Sequence, residues 1–254
     1  TTNTCTKISS TTVQVGSRVA RISAFAKGAG MIQPNLATML AFIYTDLAIP
    51  LPILRKLLKD ACDQSFNLIT VDGDMSTNDT VFLSSTGVVT PQKKIRSYDD
   101  PNLSDFKDKL KKITLDLAKK IILDGEGAKK FVTINVGGGL TRDSAKKVAL
   151  SIANSSLVKT AIAGGDPNWG RIMMAIGKSG EKINNSKVKI HIGKILLVKN
   201  SEGVNNKKIK LVEKYMKGKE INIDVDIGAG KAKSTIWTCD LTTGYVRINA
   251  DYKT

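Results

Sequence analysis

One threonine in this chain sits where a nucleophile would have both access and support. The stretch from Lys27 to Asp46, KGAGMIQPNLATMLAFIYTD, carries a lysine, a Gly-Ala-Gly turn and a proline to the head of an apolar run, with Thr38 at the junction. A loop gives a side chain access, and the strand that follows gives it rigidity. A threonine hydroxyl is a poor nucleophile at neutral pH unless a base takes its proton. A free α-amino group on the same residue, with a pKa of about 8, would be such a base. Taken alone, a threonine at a strand start is ordinarily a strand-former, and Lys27 an ordinary surface lysine.

Other patterns point less far. His191 is the single histidine and sits in an alternating segment, so Ser-His-Asp chemistry has little to support it. The three cysteines, Cys5, Cys62 and Cys239, are far apart and match no zinc spacing, so no metal site is expected. Free thiols suit a reducing, cytoplasmic setting. Asp72, Asp74 and Asp79 hint at a calcium loop, but the twelfth position counted from Asp72 is Leu83 and not the glutamate such a loop needs. Gly137-Gly138-Gly139 lacks the GK[ST] ending and the dinucleotide spacing of phosphate loops, and reads as a tight strand-to-helix turn.

The elements that must position these residues follow from periodicity. Residues 1–16 are rich in Thr and Ser and read as loop or edge, and Val19 to Lys27 as a strand. The run after Thr38 reads as a buried strand. Pro50 and Pro52 open a helix with Ile53, Leu54, Leu57, Leu58 and Ala61 on one side. Leu68 to Val71 reads as a short buried strand, and Val81 to Leu83 as the next. Phe106, Leu110, Ile113, Leu117 and Ile121 recur at helical spacing and predict a helix of about five turns. Phe131 to Val136 reads as a strand and Ser144 to Ala153 as a helix. The last third reads as strands over 188–192, 195–198, 221–227, 235–239 and 245–252. Long helices with many alternating strands indicate an α/β or α+β protein with layered sheets and helices.

Length and composition leave the class of partner open. The 254 residues suffice for one large or two small domains, and the net charge is +16. That charge lies in scattered lysine doublets, and aromatic residues are only 5%, so stacking platforms for nucleic acid are scarce. Neither a nucleic-acid partner nor a membrane is expected. Anionic substrates would be drawn in.

KGAGMIQPNLATML resembles the self-cleavage segment of the ornithine acetyltransferase family, the bifunctional glutamate N-acetyltransferases of arginine biosynthesis. DGDMSTNDTVFLSSTG, DGEGA, DPNWGR and the terminal YVRINADYKT match the same family in order, so the resemblance covers essentially the whole chain. It implies an N-terminal-nucleophile-like sandwich of sheets and helices. It implies cleavage at Ala37-Thr38, with Thr38 as the acetyl-carrying nucleophile. Residues 1–37 would then be the end of an α-subunit and 38–254 a whole β-subunit. The resemblance further implies substrate contacts from Thr1 (with Thr2 as the competing register), Lys27, Thr38, Glu126, Asn249 and Thr254. Its implied substrates are N-acetylornithine and glutamate, with no cofactor beyond acetyl-CoA as an optional acetyl donor. The implied assembly is an α2β2 heterotetramer of cleaved fragments. The oxyanion hole, a Thr-Gly pair in the family, would lie upstream of Thr1. Trp169 is expected as an anchor and Arg171 as a carboxylate partner. Ser23-Ala24-Phe25 departs from the family's glycines and methionine, and Phe25 is expected to alter the packing of the loop. Two other readings stay open: a related self-cleaving aminopeptidase, and a basic nucleic-acid-binding protein.

Overall fold

A computed structural model describes residues 2–33, 39–75, 79–204 and 208–251. Thr1, Ala37, Thr38 and Thr254 lie outside the described residues. The chain forms two compact units, Thr1–Ile69 with Gly73–Asp124, and Thr70–Asp72 with Gly125–Thr254. The layered α/β class expected from periodicity is the class adopted, because each unit pairs a sheet with helices.

The first unit holds four strands in sequence order: β1 (Lys7–Val15), β2 (Arg18–Lys27), β3 (Leu40–Leu47) and β4 (Thr80–Val89). β1, which the Thr- and Ser-rich start only hinted at, is an edge strand. Gly16, at φ +59°, turns it into β2. β2 and β3 are antiparallel, β3 and β4 parallel. A parallel neighbour needs a crossover, and helix α1 (Leu51–Asp63) lies in it. α1 opens on Pro50 with a further proline in its first turn, where a missing N–H costs nothing.

Helix α2 (Ser104–Leu123) packs against β1 and β2. It buries Phe106, Leu110, Ile113, Leu117 and Ile121 as its spacing requires, at roughly 1.5–3 kcal/mol for each large side chain. In the sheet Val13, Val15, Ile22 and Ile43 are buried as well.

Two expectations need correction here. The run after Thr38 is buried on one face only. Ala41, Ile43 and Thr45 point inward, while Phe42 and Tyr44 alternate outward and Tyr44 is 44% exposed. A side-chain period of two puts neighbours on opposite faces, however apolar both are. On the outer face Phe25 stacks on Phe42 at 5.1 Å and Phe42 on Phe82 at 5.6 Å, so Phe25 extends an aromatic row along the sheet. The strand expected over 68–71 is absent. Phe66–Leu68 is a turn of 3-10 helix, and Ile69 makes only an isolated bridge. A run of four residues, three of them apolar, does not separate strand from helical turn by periodicity.

The second unit holds six strands in the order β10-β5-β9-β6-β7-β8. They are β5 (Phe131–Gly139), β6 (Lys189–Ile192), β7 (Ile195–Lys199), β8 (Glu202–Gly203), β9 (Glu220–Asp226) and β10 (Ala232–Cys239). Helix α3 (Arg142–Ala153) packs on β5 and β10 and is capped by Thr141, whose hydroxyl accepts from the Ser144 amide at 3.0 Å. Among the described residues the helices that follow are α4 (Ser156–Gly164), α5 (Trp169–Gly177), α6 (Ile209–Met216) and α7 (Thr243–Asp251).

The three glycines expected to form a strand-to-helix turn are the end of β5 itself. Their role is close backbone approach. A Cβ on Gly138, at φ +76°, would meet Asp226 Oδ1 at 2.2 Å and the Gly228 amide nitrogen at 2.6 Å. Ala229 and Gly230 donate their amides to the Gly138 carbonyl at 2.8 and 2.6 Å. The glycine carbonyls and space are taken by protein backbone, and nothing there recommends a phosphate site. The strand expected from Tyr245 onward is helix α7. Its alternating YVRIN has strand-like propensity, which is weak and yields to tertiary context.

Candidate functional site

In the first unit the register of β2 with β3 sets Lys27 directly opposite Leu40, two residues after Thr38. Lys27 ends its strand and is exposed. The turn after it begins at Gly28, whose φ of 150° favours glycine. The Gly28 amide donates to Asn3 Oδ1 at 2.9 Å, and Lys7 Nζ donates to the same oxygen at 2.7 Å. Lys7 also makes an ion pair with Asp124, and both side chains are fully buried. Asp124 accepts the Thr4 amide on both oxygens at 3.1 Å and is bonded to the Thr4 hydroxyl. Burial pushes the Asp124 carboxyl up, but the bonds from Lys7 and Thr4 more than offset it and hold it below the usual carboxylate range. This cluster ties the residues before β1 to the end of α2 and to the turn after Lys27. Thr2, the alternative to Thr1, is half-buried beside it in sequence.

At the entry to β3 the Met39 amide donates to Asp79 Oδ1 at 2.5 Å, and the Met39 carbonyl accepts from the Thr80 amide at 3.0 Å. Asp79 Oδ2 is buried with no hydrogen-bond partner. Asp79 lines a cavity of about 200 Å³ with Ile32, Leu58, Cys62, Phe66 and Val81. Burial raises its carboxyl to about 6 against the pull of the Met39 amide, and raises the Cys62 thiol to about 12. From the sequence, Asp79 stood out only as part of a calcium-loop pattern that lacks its glutamate.

In the second unit two residues expected at the site meet directly. Asn249 Nδ2, on α7, donates to Glu126 Oε2 at 2.8 Å. They come from motifs 123 positions apart. The Gly125-Gly127 turn makes the meeting possible. Thr242 Oγ1 donates to the Gly127 carbonyl at 2.7 Å, and Gly127, at φ +67°, leaves no room for a side chain against Tyr245 and Gly244. A Cβ there would lie 2.2 Å from the Tyr245 nitrogen. Gly127→Ala should therefore destabilise the second unit by on the order of 2–4 kcal/mol. It should also separate Asn249 from Glu126, read as a lower melting temperature. An unchanged melting curve would show that α7 does not depend on this contact.

Among the described residues Arg171 makes no ion pair with a carboxylate, contrary to expectation. Its Nη1 donates to the Leu157 carbonyl at 2.8 Å and to Thr160 Oγ1 at 3.3 Å. Trp169 is an anchor, packed so closely on Gly203 that a Cβ there would meet its ring at 2.6 Å. Among the described residues no group of three or more His, Cys, Asp or Glu side chains is arranged to hold a metal ion. No described helix is long and apolar enough to cross a membrane.

The fold and these side chains define a mixed α/β protein with a strand-entry site in one unit and a Glu-Asn pair in the other. The ArgJ family model matches residues 1–254, and the chain belongs to the ArgJ family. It is 45% identical over 255 residues to the arginine biosynthesis bifunctional protein ArgJ of Brucella suis, covering 100% of this chain and 62% of that one. It is 46% identical over 253 residues to that of Ruegeria pomeroyi, covering 100% and 60%. The chain thus spans about three fifths of the length of these curated relatives. The crystal structure of ArgJ from Bacillus halodurans is similar with a TM-score of 0.77 and 40% identity, over 83% of this chain and 98% of that one. The expected N-terminal-nucleophile-like class is in keeping with that likeness.

Proposed function

We propose that the protein carrying this chain is an acetyltransferase of arginine biosynthesis that moves acetyl from N-acetylornithine to glutamate through an acetyl-threonine at Thr38. The observation that carries the reading is the match of the ArgJ family to all 254 residues, with Glu126 and Asn249, drawn from two of its motifs, in contact.

Scission at Ala37-Thr38 begins with attack of the Thr38 hydroxyl on the Ala37 carbonyl. The peptide C–N bond breaks to leave an ester and a free Thr38 amine. Water then hydrolyses the ester. The β2–β3 ladder runs from Ile22↔Thr45 to Lys27↔Leu40, so the two fragments would stay paired after the cut. In the transfer itself the Thr38 amine takes the hydroxyl proton as the oxygen attacks the acetyl carbonyl. Ornithine leaves as the amine, taking that proton. The amine of glutamate then attacks the acetyl-threonine ester, and Thr38 regains its hydroxyl. Lys27 suits the substrate carboxylate, and Glu126 with Asn249 suits its amino group. Thr1 and Thr254 complete the proposed contacts. The assembly that goes with this reading is an α2β2 heterotetramer made from two precursors.

The experiment is a double one on the full-length gene product. Initial rates with both substrates varied should give parallel ping-pong lines. Quenching with N-acetylornithine alone should trap acetyl on the fragment that begins at Thr38. Acetyl-CoA is tried as donor in the same assay. Sequential kinetics with no trappable acetyl group would rule the mechanism out, and peptide hydrolysis without transfer would favour the aminopeptidase.

A further inference from the structure

Helix α7 carries Asn249 to Glu126, but little in α7 itself fixes where it lies. None of its described residues is fully buried, so apolar packing holds it weakly. Its nine residues are also too few for a helix to be stable on its own in water. Polar ties within the second unit seat it. Thr242, just before the helix, donates its hydroxyl to the Gly127 carbonyl at 2.7 Å. Tyr245, in the first turn, donates its hydroxyl to Asp72 Oδ2 at 3.2 Å, across 173 positions of sequence. Asp72 belongs to the same compact unit as Glu126 and α7.

Tyr245 is also the residue on which Asn249 rests. Residues four apart in a helix stand one above the other. Asn249 Nδ2 donates to the Tyr245 carbonyl at 3.1 Å as well as to Glu126 Oε2 at 2.8 Å. A side-chain amide has two N–H donors, so there is one for each partner. The Tyr245 nitrogen, in turn, lies where a Cβ on Gly127 would be 2.2 Å away. A shift of Tyr245 therefore disturbs both members of the pair, Asn249 through the helix and Glu126 through the turn beside it. Side chains that hold a substrate must keep their geometry to within about 0.5 Å. The half-buried Tyr245, with its ring tip bonded to Asp72, supplies that constraint.

We propose that Tyr245, through the bond from its hydroxyl to Asp72, is a positioning residue for amino-acid binding: it seats α7 so that Asn249 meets Glu126 and the two act together on the substrate's amino group. The proposal rests on the reading of Glu126 and Asn249 as substrate contacts. In this scheme Tyr245 touches no reacting atom. It acts on how the substrate is held, so its loss raises KM and leaves kcat nearly unchanged.

The test uses the full-length gene product as wild type, Tyr245→Phe, Glu126→Ala and the double variant, with KM and kcat for N-acetylornithine and a melting curve for each. Tyr245→Phe keeps the ring and removes one oxygen. Its KM should rise about threefold to tenfold, the worth of one hydrogen bond, with kcat within about twofold of wild type. In the Glu126→Ala background the same change should raise KM far less, because the partner to which Asn249 is held is gone. Asp72→Asn keeps an acceptor for the hydroxyl and should bind substrate like the wild type, whereas Asp72→Ala should match Tyr245→Phe. This second pair serves equally if Tyr245→Phe folds poorly. A wild-type KM in both Tyr245→Phe and Asp72→Ala would overturn the proposal. So would an equal rise in both backgrounds, since the effect would then not pass through Glu126. An unchanged KM in Glu126→Ala alone would instead remove the reading of Glu126 as a substrate contact, and the role of Tyr245 with it.

Discussion

Thr38→Ala should abolish both self-cleavage and acetyl transfer, with kcat/KM down by about 10⁴- to 10⁶-fold, the range seen when an acyl-enzyme nucleophile is removed. Between Lys27 and Ile43 the chain carries one hydroxyl, that of Thr38, and no cysteine. No neighbour in that stretch can take over the ester. Thr38→Ser keeps the hydroxyl and the α-amino group and should still cleave. Intact mass under denaturing conditions reads the first step, with two fragments meeting at Ala37-Thr38 for the wild type and one chain for Thr38→Ala. A Thr38→Ala protein that still splits at this bond, or still transfers acetyl, would return Thr38 to the role of an ordinary strand-former.

Lys7→Met should be the most damaging single change to the fold of the first unit, at about 3–5 kcal/mol. Lys7 and Asp124 have side chains with 0% and 1% exposure. Removing the lysine leaves a buried carboxylate with only Thr4 to satisfy it. The pair also has a pH signature. The Asp124 carboxyl is held below its ordinary value, so its contribution is present above the unfolded carboxylate value of about 4 and is lost as pH falls through the folded one. Urea midpoints at pH 7 and pH 3 should therefore differ less for Lys7→Met than for the wild type. The double variant Lys7→Met with Asp124→Leu should regain most of the loss, since an apolar pair of similar volume avoids the stranded charge. A single variant as stable as the wild type would show that water reaches Asp124. The cluster matters to the site because Lys7 and Gly28 share Asn3, so the turn after Lys27 is held by the same bonds.

Periodicity carried far in this chain where a pattern was long and one-sided. Helix α2 was legible from five apolar residues over four turns. Helices α1 and α3 were legible from proline placement and spacing. Patterning failed where a segment was short or its surroundings unusual. The 68–71 run was too short to separate strand from 3-10 turn. Helices α4 and α6 were not singled out. Helix α7 was read as a strand because YVRIN alternates, although Thr242, Gly244 and Gly127 tie it down as a helix.

By itself the sequence determined the fold class, the helices and strands whose apolar stripe is long enough to count, and the motifs by which the chain joins the ArgJ family. It also singled out Thr38, Lys27, Glu126 and Asn249. Only the tertiary structure decided that Glu126 and Asn249 touch, that Lys7 is neutralised by Asp124, that the three glycines end a strand, and that Asp79 holds the Met39 amide. The physical reason is range. Stripes and turns are local properties that a window of residues can show. A hydrogen bond between residues 123 apart, or an ion pair between residues 117 apart, exists only after sheets and helices have packed. The cost of an unpartnered carboxylate oxygen exists only once water has been excluded from around it.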